Sequence, residues 1–208
     1  ADLVAAGVAW HVDARAAVRL RLRRTDGAPI STLPLEELTL FLSGAGAEPW
    51  RLYEALLARG VGLAGRSTDR RADWAMPLGD AIRARGFDPE EALLPSPGQS
   101  FEGYRLLQEY FAMPQRFFFV ELGGLAPAIR RGGGGEVDLY ILLSDAMPAL
   151  KNLSAESFEL HAAPAVNLFE KRCDRVHVAS TEVEHPVVVD RTAPLDYEVY
   201  RLESVGGI

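Results

Sequence analysis

Residues 100–122, SFEGYRLLQEYFAMPQRFFFVEL, constrain this chain more than any other stretch, because they read as a helix that runs straight into a strand. Phe101, Tyr104, Leu107 and Phe111 recur at spacings of three and four, which places them on one helical face. Leu106 and Tyr110 add a second apolar row, so the helix is greasy around most of its circumference. Ser100 is positioned as the N-cap, with Glu102 in the first turn where the helix dipole favours an anion. Arg105 and Glu109, one turn apart, pair at the remaining exposed edge. Pro114 ends the helix by disfavouring helical geometry at Met113. In 115–122, Phe117 and Phe119 point one way while Phe118, Val120 and Leu122 point the other. A strand apolar on both faces belongs inside a covered sheet.

Other alternating runs predict more strands. Val18, Leu20 and Leu22 alternate with Arg19, Arg21 and Arg23, so one face is apolar and the other cationic. The arginines are either spaced for phosphates or paired with acidic neighbours on a wet sheet face, and the second reading is favoured because this is how an antiparallel sheet with one wet face reads. The next turn, 25–27, carries the Asp26–Gly27 pair that suits tight hairpins. Strands are expected from Leu38 to Leu42, over 61–66, and through Val137, Leu139, Ile141 and Leu143. A short helix over 49–59 would bury Trp50, Tyr53 and Leu57 and stop at Gly60. Residues 82–87 fit period two and period 3.6 equally. Asp88 followed by Glu91 is a helix-start signal. After 160, short strands are predicted over 175–179, 186–189 and 196–202.

The resulting fold class is α+β and β-rich: antiparallel sheets, sandwich- or barrel-like, packed around the central helix–strand unit. The Pro- and Gly-rich stretch 95–100 divides a subdomain over 1–97 from a second over 98–208.

Chemistry is harder to find. A net charge of −7 argues against a nucleic-acid or anionic-membrane surface as the main partner. Cys173 is the one cysteine, which rules out an intramolecular disulfide and a cysteine-based zinc site. His11, His161, His177 and His185 show no metal-face spacing. Asp174, His177 and Ser180 lie close in sequence, but triads are assembled from separate elements. Gly132 to Gly135 read as a flexible hairpin tip after a basic turn at Arg130–Arg131; a P-loop would need Lys and Ser or Thr where Glu136 and Val137 stand. Glu54, Glu109 and Glu121 sit beside apolar residues, either as carboxylates of raised pKa or, as favoured, at amphipathic edges. No catalytic, cofactor-binding or metal-ligating residue is assigned.

Three segments together resemble one family. SFEGYRLLQEYFAMPQRFFFVELGGL (100–125), FELHAAPAVNLFEKRCDRVHV (158–178) and Tyr197–Glu198–Val199–Tyr200 are similar to hallmark segments of the TssF/VasA/ImpG baseplate proteins of type VI secretion systems, and LTLFLSG (38–44) agrees more loosely. Members of that family are longer, so the resemblance implies an internal portion of a larger protein. It implies a structural subunit and not an enzyme: part of a wedge like those of contractile phage tails, in the cytoplasm, docked to an inner-membrane complex without itself inserting in the membrane. The partners implied are TssG, a second TssF copy, TssK and TssE, with no nucleic acid and no cofactor. Two readings of the greasy helix stay open: a core helix clamped between two halves, or an interface in which Phe111, Met113 and Phe117 face a second copy or TssG. Rival functions are a phage-like β-sandwich that binds a carbohydrate or other ligand, and a hydrolase whose site is assembled only in space.

Overall fold

The computed structural model describes residues 3–69, 71–79, 81–95, 101–147, 150 and 153–207. Ser100, and the 96–100 part of the segment read as a subdomain junction, lie outside the described residues. The chain divides into two compact units, Ala1–Pro164 and Ala165–Ile208.

Among its described residues the first unit holds two antiparallel four-stranded sheets and three α-helices, an α+β, sheet-rich fold with no closed barrel. In chain order its elements are β1 (Ala16–Arg23), β2 (Leu38–Leu42), α1 (Glu48–Ala58), β3 (Gly60–Ser67), β4 (Ala75–Gly79), β5 (Ile82–Ala84), α2 (Glu102–Ala112), β6 (Phe119–Leu122), α3 (Ala126–Arg131), β7 (Glu136–Leu143) and β8 (Phe158–Glu159). One sheet runs β1-β7-β3-β4, the other β5-β6-β2-β8.

The alternating runs account for the strands. In β7, Val137, Leu139, Ile141 and Leu143 enter the main core, while Tyr140 and Leu142 on the opposite face pack with Ala6, Val8, Ala14, Ala17 and Ala64. In β1, Arg21 stands opposite Asp138 and Arg23 opposite Glu136. Arg21 donates to both Asp138 oxygens, at 2.7 and 2.9 Å. That carboxylate raises the Arg21 pKa above its ordinary value. Arg21 and Arg23 are therefore ion-paired to the neighbouring strand, as the wet-face reading requires, while Arg19 stands opposite Tyr140. The main core joins both sheets, with Leu40, Val120 and Leu122 from one, Leu63, Leu139 and Ile141 from the other, and Leu52 and Leu56 of α1 and Ile129 of α3.

Several expectations are corrected. Helix α1 buries Pro49, Leu52, Ala55 and Leu56, while Trp50 is exposed and Tyr53 and Leu57 are half-buried. Both rows fit a helical period, and the one facing the sheets carries the more compact side chains. Gly60 does not end α1 as a left-handed cap; it begins β3 directly, at a point where a Cβ would overlap the Leu56 carbonyl oxygen. The supposed basic turn is helix α3, which packs Ala128 and Ile129 into the core. The four glycines after it are an α3–β7 connection and not a hairpin tip: Gly134 and Gly135 carbonyls accept from Ile30 and Arg24 N–H, each at 2.8 Å. The strand predicted from residue 115 starts at Phe119, because Pro114–Phe117 form a 3-10 turn. The ambiguous 82–87 stretch supplies β5, paired with β6.

In the second unit, none of the runs 175–179, 186–189 and 196–202 forms a strand among the described residues. Alternation marks a face that needs a paired neighbour, and here Val178, Leu195, Val199 and Leu202 remain exposed. Polar links tie the segment together instead. Asp174 N–H donates to Val188 O at 2.8 Å, and Asp190 accepts from Thr192 Oγ1, Thr192 N and Lys171 Nζ at 2.6, 2.9 and 3.2 Å. The Thr192 hydroxyl and N–H, then Lys171, hold the Asp190 carboxyl at about 2.

Two tests follow from this packing. Helix α3 approaches β3 so closely that a Cβ at Gly65 would overlap Ala128 Cβ, so Gly65→Ala is expected to cost about 1–3 kcal/mol in urea unfolding. A depressed carboxylate contributes stability above its ordinary value of 3.8 that is lost as pH falls through about 2. An NMR titration should find Asp190 charged to that low pH, and Asp190→Asn should remove the local acid transition.

Candidate assembly surface on helix α2

Helix α2 carries two kinds of row, and the structure buries the unexpected one. Its buried residues are Arg105 and Glu109. Phe101, Tyr104, Leu107, Tyr110 and Phe111 are exposed, Tyr104 at 67% and Phe111 at 80%. The helix is thus turned over relative to the reading in which the ion pair lies at an exposed edge.

The cause is a buried charge cluster. Glu109 is 2% exposed and Arg116, on the 3-10 turn after the helix, is 1% exposed. The Arg116 guanidinium Nη1 meets Glu109 Oε2 directly. Arg105 Nη1 reaches the same oxygen at 3.2 Å, and its Nε reaches Glu102 at 2.8 Å. The other Glu109 oxygen accepts from the backbone N–H of Leu93 and of Leu94, both at 3.0 Å. Arg105 Nη2 and Arg116 Nη2 donate to the carbonyls of Phe87 and Glu91, at 3.3 and 2.8 Å. Burial, with like-charged Arg105 nearby, lowers the Arg116 pKa from its ordinary value; guanidinium remains charged even so.

The cluster extends to β6. Glu91 closes a 3-10 turn at Pro89–Glu91 with a capping box from Asp88. Its carboxylate contacts Arg85 Nε, and Arg85 Nη1 donates to Glu121 of β6 at 2.6 Å. Glu109 and Glu121 are therefore buried ion-pair members and not amphipathic-edge residues, whereas Glu54 is exposed. Removing one member of such a set leaves a buried charge without its counterpart, which is costly.

With the polar row clamped inward, the aromatic row has nowhere to go but out. Phe101 and Tyr104 meet edge to face at 5.8 Å, Tyr110 and Phe111 at 5.5 Å, and Trp50 of α1 touches Tyr110 at 6.2 Å. These five rings expose roughly 600 Å², taking about 200 Å² for each ring, the upper end of what a monomer leaves bare. Of the three residues proposed as an interface from sequence, Phe111 lies on this surface and Met113 is at its margin, 36% exposed. Phe117 is 6% exposed and lies inside, against Phe87 at 5.0 Å and under the Arg116 guanidinium at 4.7 Å. Phe101, Tyr104 and Leu107, placed by the sequence on one helical face whose burial it left open, belong to the surface. The one signal for this was Arg105 and Glu109 at helical spacing with Arg116 just beyond the Pro114 stop.

A second feature of the first unit is a hollow of about 200 Å³ on the outer face of the β1-β7-β3-β4 sheet, lined by Arg19, Arg21, Arg66, Thr68, Asp138 and Tyr140. Its side chains pair largely with one another: Arg21 with Asp138, Arg66 with Asp73. Among the described residues, no group of three His, Cys, Asp or Glu side chains could hold a metal ion. No helix among them is long and apolar enough to cross a membrane.

A family model described as "Type VI secretion system, TssF" matches residues 2–208. The chain belongs to the TssF family. The type VI secretion system component TssF1 of Pseudomonas aeruginosa is 46% identical over 195 residues, which cover 93% of this chain and 31% of that protein. One chain of the cryo-electron microscopy structure of a type VI secretion system TssK-TssF-TssG baseplate subcomplex matches with a TM-score of 0.68 and 26% identity, over 88% of this chain and 34% of that one. The chain thus spans about a third of the length of these TssF-family and baseplate relatives.

The clamp gives a paired test. Glu109→Ala strands two arginines and two backbone N–H groups and is expected to cost about 3–5 kcal/mol in chemical denaturation. Phe111→Ser should change stability by less than about 0.5 kcal/mol; a loss of about 3 kcal/mol or more would mean that Phe111 is core.

Proposed function

We propose that this chain is part of a structural subunit of the type VI secretion baseplate, a scaffold within the wedge of a contractile, tail-like machine. It carries no catalytic residue in this reading. Its partners are TssG and TssK, with a second TssF copy and TssE within the same assembly, and it works in the cytoplasm at the face docked to the inner-membrane complex. One observation carries the proposal: a TssF-family chain holds a row of aromatic side chains outward by burying the charges of the same helix. An aromatic face of this size is characteristic of assembly surfaces. The naming of TssK and TssG in the matched baseplate complex supports the choice of partners.

Phe111 and Met113 are the contact residues in this proposal. Phe117 supports them from inside through its packing with Tyr110, 6.2 Å between ring centroids.

The test is co-expression of the chain with the TssG encoded beside it, followed by affinity capture and size exclusion, alongside light scattering of the chain alone. Association with TssG or with itself is expected, weakened about tenfold or more by Phe111→Asp. A chain that stays monomeric and captures no baseplate subunit would overturn the reading.

A further inference from the structure

We propose that the hollow on the outer face of the β1-β7-β3-β4 sheet is a carboxylate-binding site, in which the Arg19 guanidinium and the Tyr140 hydroxyl together hold one carboxylate group. Its occupancy is independent of the reading of α2.

Most donors of the hollow are already engaged. Arg21 donates to both oxygens of Asp138. Arg66 is held between the Ala5 carbonyl, at 2.8 Å, and Asp73, at 3.4 Å. The Ser67 and Thr68 hydroxyls donate to the carbonyls of Asp69 and Glu136, both at 3.3 Å. Two donors remain. The Arg19 side chain makes no ion pair or hydrogen bond among the described residues. Tyr140 is 3% exposed, and its hydroxyl has no hydrogen-bond partner among them either. A phenol buried to that depth normally has one. The strand register accounts for the gap. Tyr140 stands between Arg19 of β1 and Ala64 of β3, and alanine has neither the length nor a polar group to meet it. Cross-strand neighbours lie about 4.5–5.5 Å apart at Cβ, close enough for Arg19 and Tyr140 to serve one ligand.

The chemistry of the two donors selects that ligand. A guanidinium fork matches the two oxygens of a carboxylate, and the phenol O–H supplies a further bond. Asp69, Asp73 and Asp138 also line the hollow and limit the charge it accepts. A monoanion is matched by Arg19, whereas a phosphate dianion would turn its second charge on three carboxylates. The volume of about 200 Å³ is below the roughly 300–1,000 Å³ of sites for larger ligands, and suits an acidic side chain or a small organic acid.

The experiment is an NMR titration of the chain with sodium acetate, against sodium chloride at matched ionic strength, following the Arg19 Nε–H and Tyr140 ring signals. Saturable shifts with a roughly millimolar dissociation constant are expected, within the ceiling for so small a ligand. Arg19→Gln should abolish saturation. Tyr140→Phe should raise the dissociation constant about fivefold and leave the urea midpoint unchanged, because the hydroxyl it removes has no partner. N-acetylglutamate α-amide separates the sources: binding tighter than acetate marks a side chain presented by a protein, and equal binding marks a free acid. Shifts that chloride reproduces, shifts that survive Arg19→Gln, or tighter binding of inorganic phosphate at pH 8 than of acetate would each overturn the inference.

Discussion

The carboxylate of Glu109 is the point on which this architecture depends. It binds Arg116 and Arg105 through one oxygen and two successive backbone N–H groups through the other. A buried carboxylate is tolerated only when its lone pairs are filled, and here the backbone of Leu93 and Leu94 completes what the arginines begin. The consequence reaches past electrostatics. By tying 93–94, α2 and the 3-10 turn after it to one group, the cluster fixes the rotation of the helix about its own axis. Apolar packing alone would not do so, since a helix with two greasy rows has two nearly equivalent ways to sit.

The strands were legible because period-two alternation gives both the element and its faces once one face is known to be wet. Arg19, Arg21 and Arg23 supplied that knowledge for β1, and the acidic partners Asp138 and Glu136 were already visible as polar positions in an otherwise apolar run. Helix α2 was legible as an element, but its Arg105–Glu109 row was placed at an exposed edge and is buried. Hydrophobic periodicity reports which residues share a face, and says nothing of which face meets the protein. The usual inference, apolar inward, rests on solvent being the alternative. It fails on α2, where the buried polar row is the more informative one. Phe117 shows the converse: three positions past the helix stop, it belongs to the 3-10 turn and follows Arg116 inward. Helix α3 was missed because its six residues are too few to show a period and glycines flank both ends.

The second unit shows the limit of pattern reading from the other side. Its runs alternate as strands do, yet the described residues of 165–207 form no ladder and leave Val178, Leu195 and Leu202 exposed. A strand is a relation between two segments, and alternation in one of them does not supply the other. What holds this unit locally is polar: Lys171, Asp190, Thr192 and Tyr197 form one cluster, with Lys171 over the Tyr197 ring at 4.4 Å.

These arrangements share a logic about where charge is placed. On β1 the arginines stay at the surface, and Arg21 and Arg23 are paired with carboxylates across the sheet. On α2 the charges are taken inside, at the cost of desolvation, and the surface they vacate is neutral and aromatic. For a chain of net charge −7 the first solution keeps a face solvated and the second makes one able to associate. The desolvation penalty is then intelligible as something more than a stability term. Replacing Arg105 and Glu109 by apolar residues of similar volume could hold a helix as firmly, but it would make every face of α2 apolar and leave its rotation unspecified. The buried ion pair distinguishes inside from outside on a helix whose apolar pattern does not.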